Sequence, residues 1–186
     1  MNKPFIIGLA GKARCGKDTA AQMILLRRRN FIRYAFADPL KEAVNNLLGW
    51  DERHSDGRLK EVVDPYWGAS PRQAYQTFGT EWARKYMGEA FWLKVAERRL
   101  EGQDYVVIPD VRFDNEAEFV RKRGILVHVY SNRVAKVAEH SSEDGVKRKP
   151  QDMRLLNYGT LALFKMEVLD LLGAIEARQM KGSYAF

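Results

Sequence analysis

Apolar and polar positions along the chain switch between two periods. Phe5-Ile6-Ile7 opens as a short apolar strand, and Ala20 to Leu26 follows as a run of good helix formers. Phe31-Ile32-Arg33-Tyr34-Ala35-Phe36-Ala37 alternates as a second strand. Asp38-Pro39 then sets an N-cap before a proline at the first helical position, predicting a helix to Leu47 or Leu48 that stops near Gly49. Ser70-Pro71 repeats that start for a helix to about Tyr86, and another helix spans Phe91 to Leu100. Tyr105-Val106-Val107-Ile108 is almost continuously apolar, as expected of a strand buried on both faces of a parallel sheet. Asn115 to Arg123 reads as a helix ended by Gly124. Ile125 to Tyr130 is the next strand, Leu155 to Tyr158 a short one, and Leu161 to about Ala177 the last helix. No segment repeats. The alternation predicts an α/β fold, a parallel sheet of about five strands with helices on both faces.

Two stretches break the rhythm. Residues 51–69 are polar and interrupted by Gly57, Pro65 and Gly68, which marks an excursion from the core. Ser131 to Arg154 is too long for a plain connection and reads as a lid. The expected organisation is one domain over 1–186, with core segments 1–37 and 103–186, an insertion over 38–102, and the lid over 131–154.

Composition narrows the class. With 186 residues, 46% hydrophobic and 30% charged, the chain suits a soluble globular domain. No apolar stretch approaches the roughly 18–20 residues that span a bilayer, so no membrane association is expected. The first strand begins almost at once, which predicts no signal peptide. Cys15 is the only cysteine and has no intrachain partner, which suits a reducing cytoplasm. The excess of 31 basic over 24 acidic residues gives +7. Its clusters, Arg27–Arg29, Arg121–Arg123 and Lys147–Lys149, are small and scattered, and no zinc-ligand spacing or RNA-binding signature accompanies them. Charge alone does not make this a nucleic-acid-binding protein.

The chemistry begins between the first strand and the first helix. Gly11-Lys12-Ala13-Arg14-Cys15-Gly16-Lys17 matches the G-x-x-x-x-G-K core of a phosphate-binding loop in its proper strand–loop–helix setting. Glycines let several backbone N–H groups converge on one anion, and the helix N-terminus adds partial positive charge behind them. Lys17 is placed to reach the outer phosphates of a nucleoside triphosphate. The next position, usually Ser or Thr for magnesium, is Asp18, with Thr19 after it. Either Asp18 takes over the metal through a carboxylate, directly or through water, or Thr19 supplies the hydroxyl from one position on. A second carboxylate, Asp110, follows the buried strand Val106-Val107-Ile108, where phosphate-loop proteins hold magnesium beside the nucleotide. Arg112 is close enough in sequence to aim its guanidinium at the same phosphates.

These segments together resemble one family. Gly-Lys-Ala-Arg-Cys-Gly-Lys-Asp-Thr at the loop, Asp-Val-Arg-Phe-x-Asn-Glu from Asp110, and Ser-Pro-Arg…Gly-Thr-Glu-Trp from Ser70 are similar to the bacteriophage-type deoxynucleoside monophosphate kinases. His140-x-Ser142-Glu143 and Asn157-x-Gly159-Thr160 look like further signatures of that family, and even Asp18-Thr19 fits it. The resemblance runs through nearly the whole chain. It implies a P-loop nucleoside-monophosphate-kinase-like fold, ATP with magnesium as donor, and a deoxynucleoside 5′-monophosphate as acceptor. By the same resemblance Lys17, Arg84, Arg112 and Asp110 are the expected catalytic groups. The ATP site takes Gly11 to Thr19 with Arg133 and Asn157, and Asp18 and Asp110 hold the metal. The acceptor would meet Arg72, Glu81, Trp82, Arg84, Arg112, Asn115 and Glu116, with Asp38, Lys41 and Trp67 as weaker candidates. Trp82 is as well explained by core packing, and Glu81 by orienting an arginine.

The residues themselves fit that chemistry. An acceptor phosphate, with its second pKa near 6, is already ionised at neutral pH and needs no general base. The chain shows no Ser-His-Asp or Cys-His arrangement. Within the lid stretch, Arg133, Lys136, Lys147 and Arg148 are candidates for phosphate contacts, and His140 to Glu143 form either a hydrogen-bonded turn or a catalytic pair. His128, alternating within an apolar strand, reads as a core histidine with a partner. Dephospho-coenzyme A and phosphomevalonate kinases share the loop and sheet and remain an alternative, as does a nucleotide-gated nucleic-acid-binding protein. Homodimerisation stays open.

Overall fold

The computed structural model describes residues 3–55, 57–132 and 145–183, the last three by backbone alone. The chain forms two compact units, one from 1–34 with 101–186 and a second over Ala35–Leu100.

The first unit is built on a five-stranded parallel sheet. β1 (Phe5–Ala10) lies at its centre, flanked by β3 (Tyr105–Val111) and β4 (Gly124–Ser131), with β2 (Ile32–Arg33) and β5 (Met153–Asn157) at the edges, in the order β2-β3-β1-β4-β5. Side chains of a strand alternate between faces, so β1 sends Ile7 and Leu9 one way and Ile6 the other. On the Ile7 face pack α1 (Lys17–Arg27) through Ala20, Ala21 and Ile24, and α8 (Leu161–Ser183) through Phe164, Val168, Leu171, Leu172 and Ile175. On the other face Val120 of α7 (Asp114–Arg121) sits over Gly8. Thr160 starts α8 by accepting the Leu163 N–H on its hydroxyl at 3.3 Å. No described helix is long and apolar enough to cross a membrane.

The second strand is shorter than its alternation predicts. Ile32 and Arg33 pair with Val106 and Val107, Tyr34 N–H adds one more bond to Val107 O at 3.0 Å, and the chain then leaves the sheet. β5 begins at Met153 and ends at Asn157, two residues and one residue ahead of expectation. The β1–β3 ladder slips between Gly8↔Ile108 and Ala10↔Val111. The slip falls at Pro109, which has no N–H to give the ladder.

The second unit is helical: α2 (Asp38–Leu48), α3 (Glu52–Ser55), α4 (Pro71–Gln76), a π-helix (Thr77–Arg84), α5 (Lys85–Met87) and α6 (Phe91–Arg99). Asp38 is the first helical residue of α2, not its cap. Ala37 holds the cap position without a side-chain bond, and Asp38 instead adds an acid to the first turn, where the helix dipole favours it. The Ser70 start is a true cap, its hydroxyl accepting the Gln73 N–H at 3.3 Å. The helix that follows is interrupted by a π turn that the apolar spacing did not indicate. Val44, Trp50, Ala74 and Tyr75 form the buried centre, packed by Leu40, Leu48 and Phe78. A polar chain runs beside it: Tyr75 donates to Asn45 Oδ1 at 2.6 Å, and Asn45 Nδ2 donates to Ser55 Oγ at 2.7 Å.

Candidate active site

The loop between β1 and α1 has the backbone that anion binding requires. Gly11 (φ 146°) and Gly16 (φ 107°) occupy conformations closed to most side chains, and Arg14 takes a left-handed φ of 62°, a strained placement common at functional sites. There is also no room for larger residues. A Cβ on Gly11 would lie 2.5 Å from Val129 O, and one on Gly16 would lie 2.6 Å from Asn157 Nδ2. Asn157, at the end of β5, donates that same amide to Cys15 O at 3.0 Å and so ties the loop to the sheet. Lys17, only 9% exposed, folds back across the loop, donating to Gly11 O at 2.7 Å and Lys12 O at 2.8 Å. Its ammonium therefore stands at the loop that the glycines shape. Cys15 is buried beside it. Burial pushes its thiol above the ordinary range despite the lysine, which suits a packing residue and not a nucleophile.

Asp110 is the penultimate residue of β3, half-buried, and its neighbour Val111 pairs with Ala10, the residue directly before the loop. The ladder slip at Pro109 thus places Asp110 at the end of β3, next to the residue that pairs with the last residue of β1. Asp18 lies in the first turn of α1, exposed. Arg112 follows β3, and its backbone is held by Glu116. That carboxylate, 3% exposed, accepts the N–H groups of Arg112 at 2.9 Å and Phe113 at 3.2 Å. Glu116 therefore acts on the backbone at the start of α7, half of a capping box, where the sequence suggested contact with the acceptor. Asn115 Oδ1 accepts the following N–H of Glu116 at 2.9 Å. In the first unit the structure thus gathers Gly11 to Thr19, Asp110 and Asn157 around one loop, with Arg112 one residue beyond β3.

The second unit carries the remaining candidates. Arg72 donates to Glu61 Oε1 at 2.6 Å, an ion pair at its surface. Trp67 is 45% exposed and its indole donates to Leu48 O at 3.1 Å. Its turn is built by Asp64, whose carboxylate accepts from Trp50 Nε1 at 2.8 Å and from the N–H groups of Tyr66 and Trp67. Asp38 and Lys41 sit half-buried in the first turn of α2. Glu81, Trp82 and Arg84 all fall in the π-helix. Glu81 is exposed, Trp82 is 50% exposed, and Arg84 is half-buried with a long bond to Glu89 O at 3.5 Å. An i→i+5 helix winds more slowly than an α-helix, so Arg84 aligns with Gly79 and Thr80 and turns away from Glu81, the neighbour that α-helical spacing predicted. Trp82 lines an apolar groove of about 320 Å³ with Leu40, Val44, Phe78, Phe91 and Trp92.

A buried charge cluster behind β4 has no counterpart in the sequence reading beyond the partnered His128. Asp152 is fully buried at its side chain and takes a bidentate pair from Arg121, 2.9 Å to Nε and 2.6 Å to Nη2. It also accepts the Lys149 N–H at 2.8 Å and faces His128 Nε2 at 3.0 Å. Burial raises the Asp152 pKa, but these donors and the Arg121 charge outweigh it and bring it down to about 2. Burial lowers the His128 pKa, with Asp152 opposing. Arg121 further donates to Glu118 at 2.6 Å and to Lys147 O at 3.0 Å, and Lys149 Nζ pairs with Glu118 at 2.6 Å. The Lys147–Lys149 run is thus partly structural. Arg133, Lys136 and the His140–Glu143 segment lie outside the described residues.

The donor set fits a magnesium ion. Mg²⁺ is commonly held by one or two carboxylates with substrate phosphates and water completing its shell, and Asp110 and Asp18 are carboxylates at the loop.

Comparison with known proteins follows the same lines. The profile of the family described as deoxynucleotide monophosphate kinase matches residues 5–64 and 57–168. A protein of Acanthamoeba polyphaga mimivirus, provisionally named a deoxynucleotide monophosphate kinase, is 32% identical over 182 residues, covering 88% of this chain and 94% of that one. The deoxynucleoside-5′-monophosphate kinase of Escherichia phage T5 is 26% identical over 238 aligned positions, with the same coverages of 88% and 94%. Among solved structures, the shikimate kinase of Aquifex aeolicus superposes with a TM-score of 0.52 at 16% identity, covering 91% of this chain and 96% of that one, a likeness of fold alone.

Proposed function

The chain belongs to the deoxynucleotide monophosphate kinase family, and we propose that it transfers the γ-phosphoryl group of ATP to the 5′-phosphate of a deoxynucleoside monophosphate. The observation that carries this reading is the loop with Lys17 folded across it, in a chain of that family whose β3 carries Asp110 at its end. Family membership favours a deoxynucleotide acceptor over dephospho-coenzyme A or phosphomevalonate.

The division of labour follows from charge. Gly11 to Gly16 offer backbone N–H groups to the donor phosphates, and the α1 N-terminus adds its dipole. Lys17 leaves the carbonyls of Gly11 and Lys12 for the β- and γ-phosphates, an exchange that keeps its ammonium hydrogen-bonded throughout. Asp110 and Asp18 would hold magnesium, which supplies neutralisation of phosphate charge when bound. Arg112, on a backbone fixed by Glu116, directs a guanidinium at the moving phosphoryl group. Arg84 and Arg72 bind the acceptor phosphate, with Arg72 exchanging Glu61 for it, and Trp82 packs on the acceptor's base or sugar. The acceptor oxygen is already ionised, so catalysis rests on positioning and charge stabilisation, with no proton to remove. The insertion over 38–102 is the acceptor-binding part of a single kinase domain.

The test is steady-state turnover with ATP and Mg²⁺ and each common deoxynucleoside monophosphate, read by ADP formation. At least one acceptor should saturate the enzyme. ADP formation indifferent to every acceptor, from folded protein, would refute the proposal.

A further inference from the structure

The π-helix Thr77–Arg84 holds Glu81, Trp82 and Arg84 in the middle of what would otherwise be one α-helix from Pro71 to Met87. Such a segment is rare beside the α-helix, is frequent at functional sites, and persists where tertiary contacts hold it. Two contacts do so here, and both meet at Gly79. The Trp92 indole N–H, from α6, donates to Gly79 O at 2.8 Å. On its other side Gly79 lies so close to α2 that a Cβ would stand 2.5 Å from Leu40 Cδ2. Gly79 is buried, and Trp92 closes one wall of the apolar groove that Trp82 lines.

We infer that Trp92 is a positioning residue for the acceptor segment: its bond to the Gly79 carbonyl holds the wide turn that sets the directions of Trp82 and Arg84. The geometry gives the consequence. A π turn carries one residue more than the α turn it replaces, and one residue of offset rotates the side chains beyond it by about 100° and shifts them by about 1.5 Å. Relaxation to an α-helix would therefore leave the unit helical while swinging Arg84 and Trp82 out of their present directions. Such a loss falls on the acceptor and spares the ATP loop, which belongs to the other unit. The inference rests on the reading of Arg84 and Trp82 as acceptor groups.

The experiment compares Trp92→Phe, which keeps an aromatic side chain but loses the indole N–H together with the second ring, with Gly79→Ala, which perturbs the same turn from the Leu40 contact and leaves the indole intact. Both are assayed well below their melting temperatures, with folding checked by circular dichroism. Losing a hydrogen bond of ordinary strength predicts an acceptor KM raised about three- to tenfold, with the ATP KM unchanged. If one variant fails to fold, the other decides. An acceptor KM unchanged in the folded variants, or acceptor and ATP KM values rising together, would overturn the inference. Arg84→Ala, measured alongside, separates the two levels. If it raises the acceptor KM while Trp92→Phe does not, the positioning role alone fails; if Arg84→Ala also has no effect, the reading of the acceptor segment fails.

Discussion

Asp152→Asn removes one charge from the cluster behind β4 and keeps the side chain's size. The wild-type carboxylate titrates near 2 in the fold against 3.8 as the ordinary value. That difference of roughly two units corresponds to about 2.5 kcal/mol of stability supplied by the ionised form. Because the folded pKa is the lower one, this contribution is complete above pH 3.8 and is lost as pH falls towards 2. The variant also takes from the Arg121 guanidinium, whose side chain is only 7% exposed, its fully buried anionic partner and leaves it the more exposed Glu118 alone. The expected loss at pH 7 is about 2–4 kcal/mol. Urea titrations followed by far-ultraviolet circular dichroism measure it, with the gap between wild type and variant narrowing from pH 5 to pH 3. All four tryptophans lie within Ala35–Leu100, so fluorescence reports the second unit separately and shows whether the effect stays in the first. A loss under about 0.5 kcal/mol at pH 7, or a gap of equal size at pH 3, would refute the assignment of a buried ion pair.

Other perturbations probe the site directly. Lys17→Ala should lower kcat by at least about a hundredfold with circular dichroism unchanged, as loss of a charge clamp on a transferring phosphoryl group does. Gly16→Ala places a Cβ 2.6 Å from Asn157 Nδ2 at a φ of 107°, so ATP affinity measured by calorimetry should fall by at least tenfold. Glu116→Ala strands the N–H groups of Arg112 and Phe113, and a destabilisation of about 1–3 kcal/mol in urea should accompany a fall in kcat. Burial holds the His128 pKa in the fold below its ordinary value, against the opposing pull of Asp152. The unfolded chain therefore binds a proton first, and wild-type stability should decline as pH falls below about 6.5, a decline that His128→Gln should lessen.

Much of this was legible because the signals are local. The loop is written in consecutive residues whose glycines have one backbone purpose, and Val106 to Ile108 announces a buried strand by composition alone. The sheet order was not legible, since parallel strands pair across crossovers that no local pattern encodes. Glu116 shows a different limit: the motif marks a carboxylate but not whether it turns outward to a ligand or back onto the N–H groups of Arg112 and Phe113. The π turn escaped because apolar spacing around Gly79 fits an α-helix equally well, and only contacts from Leu40 and Trp92 distinguish them. His128 and Asp152 are 24 residues apart. A partner for the histidine could be expected from its apolar strand, but which residue supplies it could not.

The most direct test of the central claim follows the phosphoryl group itself. Protein incubated with γ-³²P-ATP, Mg²⁺ and a deoxynucleoside monophosphate, then resolved by anion exchange, should show label passing to the deoxynucleoside diphosphate in a one-to-one ratio with ADP. Label released only as inorganic phosphate, or retained in ATP with every deoxynucleotide supplied, would contradict it.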